Sequence, residues 1–260
     1  MTDQARAGNA FGARPLVFAH RGARAYAPEN TLLAFQLAFD LGADAIECDV
    51  RRTADGALVI IHDGTLNRTT NGRGVVASQT LADLRALNAG LGQSIPTLDE
   101  TLALCAARGR QVNLEVKAET LRAALATAEA LEPALSALDA GGRQRVLVSS
   151  FDLPAVAHLK QRLPWLRAAT LHGAREWRQR DPLAPALAMG AQAVHPAMSL
   201  VTPSLVERAH DNGLRIHVWT ANRLVPLRQL LSWGVDGVFS DYPERAVIAR
   251  TLTQSVAVAR

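Results

Sequence analysis

Two carboxylates, two residues apart in an apolar run, are the strongest chemical signal in the sequence. Glu47 and Asp49 lie within Ala45–Val50. Alternate residues of a strand face the same side, so both carboxylates point one way while Cys48 points the other. Two like charges in a buried strand require a cation between them or a raised pKa. The pair therefore predicts a functional site.

A second apolar run, Leu58–Ile61, ends directly before His62. Only seven residues separate it from Val50, and these include Asp55-Gly56, a strong hairpin turn signal. Because this connection is too short for a crossover helix, the two runs are predicted to pair antiparallel. With the turn centred on Asp55-Gly56, His62 is predicted to lie opposite Asp49.

The elements that position these residues alternate between strand-like and helix-like patterns. This alternation implies parallel strands joined by right-handed crossovers, and eight units close most economically into a (β/α)8 barrel, with a doubly wound open sheet as the competitor. The hairpin is an addition after the second strand. The predicted barrel strands are Leu16–Ala19, Ala45–Val50, Val112–Val116, Arg145–Ser149, Arg167–Leu171, Ala193–His195, Arg215–Trp219 and Gly237–Ser240. The helical patterns include residues 29–41, 97–108, 119–137, 152–163, 202–212 and 223–233.

The chain is predicted to form one barrel domain over residues 1–260, because its length is close to the roughly 250 residues typical of this fold. Residues 64–96 exceed what a connection needs and predict a small insertion or lid. Residues 1–13 are expected to form a flexible N-terminal tail. They lack an apolar leader, and no stretch is long enough to span a membrane. A cytoplasmic protein without stable membrane association is therefore expected.

Charge and cysteine usage narrow the class of partner. The net charge is +4, but no run of basic residues is longer than the pair Arg51-Arg52, so a nucleic-acid partner is not expected. Lysine occurs only at Lys117 and Lys160. Lys117 lies in a strand-like run, where a compact ammonium on a flexible stem can reach a bound anion. Cys48 and Cys105 have neither disulfide nor zinc-site spacing.

Reactive residues of a (β/α)8 barrel project from the C-terminal ends of its strands, where this chain concentrates its polar groups. Glu47, Asp49 and Glu115 supply hard oxygen ligands from neighbouring strands. They predict one divalent cation, Mg²⁺ or Ca²⁺, and suit zinc poorly. With Arg21 and Lys117, such a cation forms a positive pocket. This pocket predicts a small-molecule substrate with an anionic group, and phosphate fits best.

Cleavage of a phosphodiester also needs a base and an acid, and His20 and His62 are the candidates because imidazole titrates near neutrality. Arg21 is alternatively explained by pairing with Glu29, and Asn30 by capping the helix that begins there. His195 and His217 are ambiguous. Trp219, at a strand exit, is predicted with equal weight as a substrate contact or as barrel core. Other candidate pocket residues are Glu29, Asn30, Phe151 and His195.

Taken together, the motifs resemble those of the glycerophosphodiester phosphodiesterase family, in particular its short bacterial cytoplasmic members. Each motif is weak alone, but their order covers nearly the whole chain. They are Ala19-His-Arg-Gly22, Pro28-Glu-Asn-Thr31, Glu47-Cys-Asp-Val50, Asp55-Gly56, His62-Asp63, Leu114-Glu-Val-Lys117, Ser149-Ser-Phe151, Val218-Trp-Thr220 and Ser240-Asp-Tyr-Pro243.

The resemblance implies a metal-dependent barrel enzyme that hydrolyses glycerophosphodiesters to sn-glycerol 3-phosphate and an alcohol. It implies attack of the glycerol 2-hydroxyl on phosphorus, followed by opening of a cyclic phosphate by water. The implied roles are metal binding by Glu47, Asp49 and Glu115, acid–base catalysis by His20 and His62, and phosphate binding by Arg21 and Lys117.

Two other functions compete with this one. A phosphodiesterase of the lysophospholipase D or sphingomyelinase D type would act on lipid diesters and needs an apolar approach surface, yet no membrane-binding amphipathic segment is evident. A non-catalytic phosphate-binding module would have lost His20, His62 or an acidic ligand, and all are present.

Overall fold

The computed structural model describes residues 14–173 and 181–258, and within these ranges eight parallel strands close into a (β/α)8 barrel. The strands are β1 (Leu16–His20), β2 (Ala45–Arg52), β3 (Leu58–Ile60), β4 (Gln111–Val116), β5 (Val146–Ser150), β6 (Arg167–His172), β7 (Ala193–Pro196), β8 (Arg215–Val218) and β9 (Gly237–Ser240). β1 pairs with both β2 and β9, which closes the sheet, while β3 is the antiparallel addition. The predicted barrel is confirmed. The predicted tail, residues 1–13, lies outside the described residues.

Helices follow most barrel strands and cover their outward faces. They are α1 (Leu32–Asp40), α2 (Leu81–Arg85), α3 (Leu98–Ala107), α4 (Leu121–Ser136), α5 (Ala140–Arg145), α6 (Leu153–Arg162), α7 (Leu183–Ala188), α8 (Pro203–Asp211), α9 (Leu224–Ser232) and α10 (Pro243–Val258). The sequence patterns did not indicate α5, α7 or α10. α5 and α7 are too short to show periodicity, and α10 buries the small residues Ala246 and Ala249, which leave a weak apolar stripe. Within the two described ranges, no helix has the length and apolarity needed to cross a membrane.

Alternation along β2 separates the chemical face from the packing face. Ile46, Cys48 and Val50 point outward into an apolar cluster with the surrounding helices, and all three are fully buried. Glu47 and Asp49 point inward, as the period of two predicts. The outward face thus holds the strand in place while the inward face carries charge.

The hairpin between β2 and β3 differs from the prediction by one residue. Val50 faces Ile60, and the Ile61 amide donates to the Asp49 carbonyl at 2.9 Å, so Ile61 and not His62 lies opposite Asp49. The turn is a three-residue loop centred on Asp55 and closed by the hydrogen bond from the Thr53 amide to the Ala57 carbonyl. Its last residue, Gly56, has a left-handed φ of +88°. His62 consequently lies one residue beyond the paired region.

Residues 64–96 pack on the outer side of the hairpin. The segment contains a 3-10 turn, Val76–Ser78, and α2. Its apolar side chains form a cluster with β3 and the residue after it: Val59, Ile61, Leu66, Val76, Leu84, Ala89 and Ile95. The segment is therefore anchored to the strand that leads into His62, and its action as a lid stays a prediction.

Candidate active site

A cavity of about 230 Å³ opens at the C-terminal ends of the barrel strands. It gathers most of the predicted site residues, which lie on the strands or in the loops that directly follow them. Asp49 does not line the cavity but lies in the same carboxylate cluster as Glu47 and Glu115. From the loop before α1, Asn30 bonds Asp49 and Glu29 bonds Arg21. The lining residues are His20, Arg21, Glu47, His62, Asn113, Glu115, Lys117, Phe151, Leu171, His195, Trp219, Thr220 and Phe239.

Three buried carboxylates form the centre of the site. One oxygen each of Glu47, Asp49 and Glu115 lies within 4.8 Å of the others. Burial raises the pKa of Glu47 well above its ordinary value, and Asp49 and Glu115 add to this. Burial likewise raises the pKa of Glu115 to about 7. Burial also acts on Asp49, but the charges of Lys117 and Arg21 outweigh it and lower the pKa of this carboxyl.

The carboxylates fit a divalent cation. Glu47 Oε1 is buried and has no hydrogen-bond partner among the described residues. Buried carboxylate oxygens without a partner are costly unless a cation or proton completes them. Because all three ligands are oxygens, the set suits Mg²⁺ or Ca²⁺.

Two cations lie against the same carboxylates. Lys117 Nζ contacts Glu115 and lies 3.5 Å from Asp49 Oδ1. Arg21 Nε lies 3.3 Å from Asp49 Oδ2. When all three carboxyls are ionised, their charges exceed those of Lys117 and Arg21 by one negative charge, and a bound divalent cation would turn this into one positive charge. The loaded site would then attract an anion such as a phosphodiester.

An unusual backbone conformation after β1 places Arg21. Arg21 and Gly22 both have left-handed φ values, +57° and +80°. A Cβ on Gly22 would come within 2.7 Å of the Ala34 backbone, so only glycine fits there. The conformation aims the Arg21 amide at Glu47 Oε2, to which it donates at 3.0 Å. A predicted metal ligand is thus oriented by the backbone of a predicted phosphate-binding residue.

Asn30 has a different role from the predicted helix cap. Thr31 caps α1, because its hydroxyl accepts from the Ala34 amide at 3.2 Å. Asn30 instead adopts a left-handed conformation, φ +56°, and donates from Nδ2 to Asp49 Oδ2 at 2.7 Å. Asparagine tolerates this conformation better than most residues. Its amide therefore orients Asp49.

Both candidate catalytic histidines bond a carboxylate through Nδ1. His20 Nδ1 lies 2.7 Å from Asp241 Oδ1, and His62 Nδ1 lies 2.7 Å from Asp63 Oδ1. An ionised carboxylate only accepts, so each Nδ1 carries hydrogen and each Nε2 is left for chemistry. Burial lowers the pKa of both imidazoles, against the opposing effect of these carboxylates.

Arg68, in the insertion, connects the two sides of the site. Its guanidinium donates to both oxygens of Asp63 at 2.7 and 2.9 Å, and to both oxygens of Glu29 at 2.7 and 2.9 Å. Glu29 also accepts from Arg21 at 3.0 Å, as the alternative explanation of Arg21 predicted. Burial opposes ionisation of Glu29, but Arg68 and Arg21 lower its pKa to about 2. Arg68 thus links the partner of His62 to the partner of Arg21.

Sequence reasoning assigned no supporting role to four residues that the structure places around the site: Asp63, Arg68, Asn222 and Asp241. Asp241 directly follows β9 and Asp63 follows His62, so their positions at strand ends were available signals. Asn222 holds Asp241, donating from Nδ2 to Oδ2 at 2.8 Å and accepting at Oδ1 from the Asp241 amide at 2.8 Å. Nothing in the sequence pattern marked Arg68, because it lies in the insertion, far from any strand end.

Aromatic residues form one wall of the cavity. Trp219 lines it, and its indole Nε1 donates to the His195 carbonyl at 2.8 Å. Phe151 packs edge-on against Trp219, with ring centroids 5.7 Å apart, and is 41% exposed at the mouth. His195 and His217 are fully buried, with His195 Nε2 at 3.0 Å from His217 Nδ1.

Comparison with known proteins gives a consistent picture. Residues 20–245 match the model of the glycerophosphoryl diester phosphodiesterase family. The glycerophosphodiester phosphodiesterase of Caldanaerobacter subterraneus subsp. tengcongensis is 36% identical over 241 residues, 90% of this chain and 97% of the relative. An Oleispira antarctica phosphodiesterase, solved in complex with the product sn-glycerol-3-phosphate, is 31% identical with a TM-score of 0.81, over 92% of this chain and 98% of that chain. Glycerophosphodiester phosphodiesterase from Agrobacterium tumefaciens is 28% identical with a TM-score of 0.73, over 90% and 99%.

Proposed function

The chain belongs to the glycerophosphoryl diester phosphodiesterase family, and we propose that it hydrolyses glycerophosphodiesters to sn-glycerol 3-phosphate and an alcohol with the help of one divalent cation. Membership makes it a phosphoric diester hydrolase. The observation that carries the proposal is the convergence, in one cavity, of the carboxylate cluster with two histidines that each have a carboxylate partner.

Glu47, Asp49 and Glu115 would hold Mg²⁺ or Ca²⁺. A bound divalent cation supplies charge neutralisation on the phosphoryl oxygens. Arg21 and Lys117 would bind the same phosphate, since both line the cavity and their charges lie beside the carboxylate cluster. Their contacts with Asp49 keep them in place before the substrate arrives.

His20 and His62 would exchange protons with the substrate through Nε2. In the first step, the glycerol 2-hydroxyl oxygen bonds to phosphorus while one histidine accepts its proton. The bond from phosphorus to the alcohol oxygen breaks, and the other histidine, protonated, gives that oxygen a proton. Water then opens the cyclic phosphate, with the two histidines in exchanged roles. Asp241 and Asp63 hold the tautomers that this exchange needs.

A direct assay tests the proposal. Purified protein with Mg²⁺ or Ca²⁺ is expected to release glycerol 3-phosphate from glycerophosphocholine, measured with a coupled dehydrogenase, and EDTA is expected to stop the release. Assays with glycerophosphoethanolamine and glycerophosphoglycerol run alongside. Activity on lysophospholipid with none on any glycerophosphodiester would contradict the proposal and would favour a phosphodiesterase of the lysophospholipase D type.

Substitution of Arg68 tests how His62 and Arg21 are held in position. We expect Arg68→Met to lower kcat/KM by about 10- to 100-fold, because Asp63 and Glu29 lose their shared donor and small displacements of reacting groups have effects of this size. Arg68→Lys should not restore activity, since a point ammonium cannot reproduce four N–H contacts. Steady-state kinetics on glycerophosphocholine measure both changes.

Arg162→Met is the matched control. Arg162 is also bonded to both oxygens of one carboxylate, Glu132, but on the outer helices. Since both arginines are substantially exposed, both changes should leave the free energy of unfolding nearly unchanged. Equal kinetic constants for Arg68→Met and Arg162→Met would exclude the positioning role of Arg68.

A further inference from the structure

The floor of the cavity is formed by Asn113, Leu171, His195 and Phe239. Two of its polar atoms, Asn113 Oδ1 and His195 Nδ1, have no hydrogen-bond partner in the part of the chain that the structure describes. Asn113 is 1% exposed and His195 is 0% exposed, and both line the cavity. Buried polar atoms of native proteins are nearly always paired. A group that enters the cavity is therefore expected to complete them.

Each of the two side chains is held by its other polar atom. Asn113 donates from Nδ2 to Ser149 Oγ at 2.9 Å. His195 Nε2 lies 3.0 Å from His217 Nδ1, and its ring packs against Phe239 with centroids 5.0 Å apart. Because these contacts fix both side chains, Asn113 Oδ1 and His195 Nδ1 are preorganised for a ligand.

The polar groups of the floor carry no charge. Asn113 Oδ1 only accepts hydrogen bonds, so its partner must donate. Burial lowers the pKa of His195 well below its ordinary value, so this imidazole carries no charge near neutrality. Leu171 and Phe239 complete the floor with apolar surface. A hydroxyl, which both donates and accepts, fits this surrounding, whereas phosphate and ammonium do not.

The charged groups lie nearer the mouth. Glu115 on β4 and Lys117 directly after β4 lie two and four residues beyond Asn113, on the same side and toward the C-terminal end of the strand. A phosphodiester bound by these groups therefore has one substituent directed to the floor and the other to the mouth, beside Phe151. Of the glycerol hydroxyls, the 2-hydroxyl is used in the attack, which leaves the 1-hydroxyl for the floor.

We infer that Asn113 and His195 form a subsite for the free 1-hydroxyl of the glycerol moiety, with the alcohol headgroup at the mouth. The inference rests on the proposed function and narrows its substrate class. Diesters whose 1-hydroxyl carries an acyl chain are excluded, because a long chain cannot enter a closed floor and the ester has no hydrogen to donate to Asn113 Oδ1. The subsite thus separates glycerophosphodiesters from 1-acyl lysophospholipids.

Paired substrates test the subsite. The wild-type protein with Mg²⁺ is assayed on glycerophosphocholine and on 2-hydroxypropyl phosphocholine, which keeps the attacking hydroxyl and lacks the 1-hydroxyl. We expect kcat/KM to favour glycerophosphocholine by about 10- to 100-fold, as for the loss of one buried hydrogen-bonding group. In the Asn113→Leu and His195→Phe variants, the ratio of the two kcat/KM values should fall toward one. His210→Phe, on the exposed face of α8, should keep the wild-type preference.

The outcomes separate this inference from the proposed function. No hydrolysis of either substrate by the wild-type protein overturns the proposed function. Hydrolysis without preference, or a preference that both variants retain, overturns the subsite alone. A measurement that needs no variant is the crystal structure of the wild-type protein with glycerol 3-phosphate. Its C1 oxygen is expected within hydrogen-bond distance of Asn113 Oδ1 or His195 Nδ1, and a C1 oxygen directed to the mouth refutes the subsite.

Discussion

Replacing His62 with glutamine is expected to lower kcat for glycerophosphodiester hydrolysis by about 10²- to 10⁴-fold, the usual contribution of a positioned acid or base. Glutamine keeps the bulk and polarity of the side chain but cannot exchange a proton. His20→Gln should have an effect of the same order. The measurement is single-turnover release of glycerol 3-phosphate, with circular dichroism to confirm that the barrel is folded.

His210→Gln is the matched control for both changes. His210 also pairs with a carboxylate, Asp236, at 2.8 Å, but it lies on α8 and is 43% exposed. Its replacement should leave turnover unchanged. A glycerol 3-phosphate ester of p-nitrophenol then distinguishes the roles, because a good leaving group rescues only the variant that lacks the acid for alcohol release. Turnover of His62→Gln within about tenfold of wild type would remove His62 from the acid–base pair.

Replacing Glu47 with glutamine is expected to lower the affinity for Mg²⁺ or Ca²⁺ by at least about 100-fold, since loss of a ligand should exceed the roughly 10- to 100-fold effect of residues that only orient one. The hydrolytic activity at a fixed cation concentration should fall together with this affinity. Isothermal titration calorimetry measures the affinity. In the wild-type protein, titration in buffers of different ionisation enthalpy should also show proton release near pH 7. The cause is the Glu115 pKa of about 7, because a cation displaces the bound proton.

Glu132→Gln, on α4, is the matched control for the metal site. Glu132 pairs with Arg162 on the outer face of the barrel. Its replacement should therefore leave the affinity for the cation and the turnover unchanged. If Glu47→Gln binds the cation as wild type does, Glu47 is not a ligand. If titration of the wild-type protein releases no protons near pH 7, the carboxylates are already ionised before the cation binds.

Short-range patterns were sufficient for much of the site. The period of two along β2 placed Glu47 and Asp49 on one face, and the same rule placed Glu115 with Lys117. These predictions depend only on the geometry of a single strand. The hairpin was harder, because its register changes with the length of the loop, and one residue separates the predicted from the observed partner of Asp49.

Contacts between distant segments required the tertiary structure. Arg68 reaches Glu29 across 39 residues of sequence, and Asp241 reaches His20 across 221. No local periodicity encodes such pairs, since each depends on how two loops converge after the barrel closes. Asn113 Oδ1 and His195 Nδ1, which have no hydrogen-bond partner within residues 14–173 and 181–258, can be recognised only once burial and bonding are known for their neighbours.

The sequence by itself determined the barrel, the residue types at its strand ends and hence the phosphodiester chemistry, because alternating patterns and strand-end positions are local properties of the chain. Only the tertiary structure decided which groups support that chemistry. It decided that Asn30 orients Asp49 instead of capping a helix, and that Arg68 joins His62 to Arg21 through carboxylates. The physical reason is that hydrogen bonds of this kind depend on distances of a few tenths of an ångström between segments, which are set by the packing of the whole barrel.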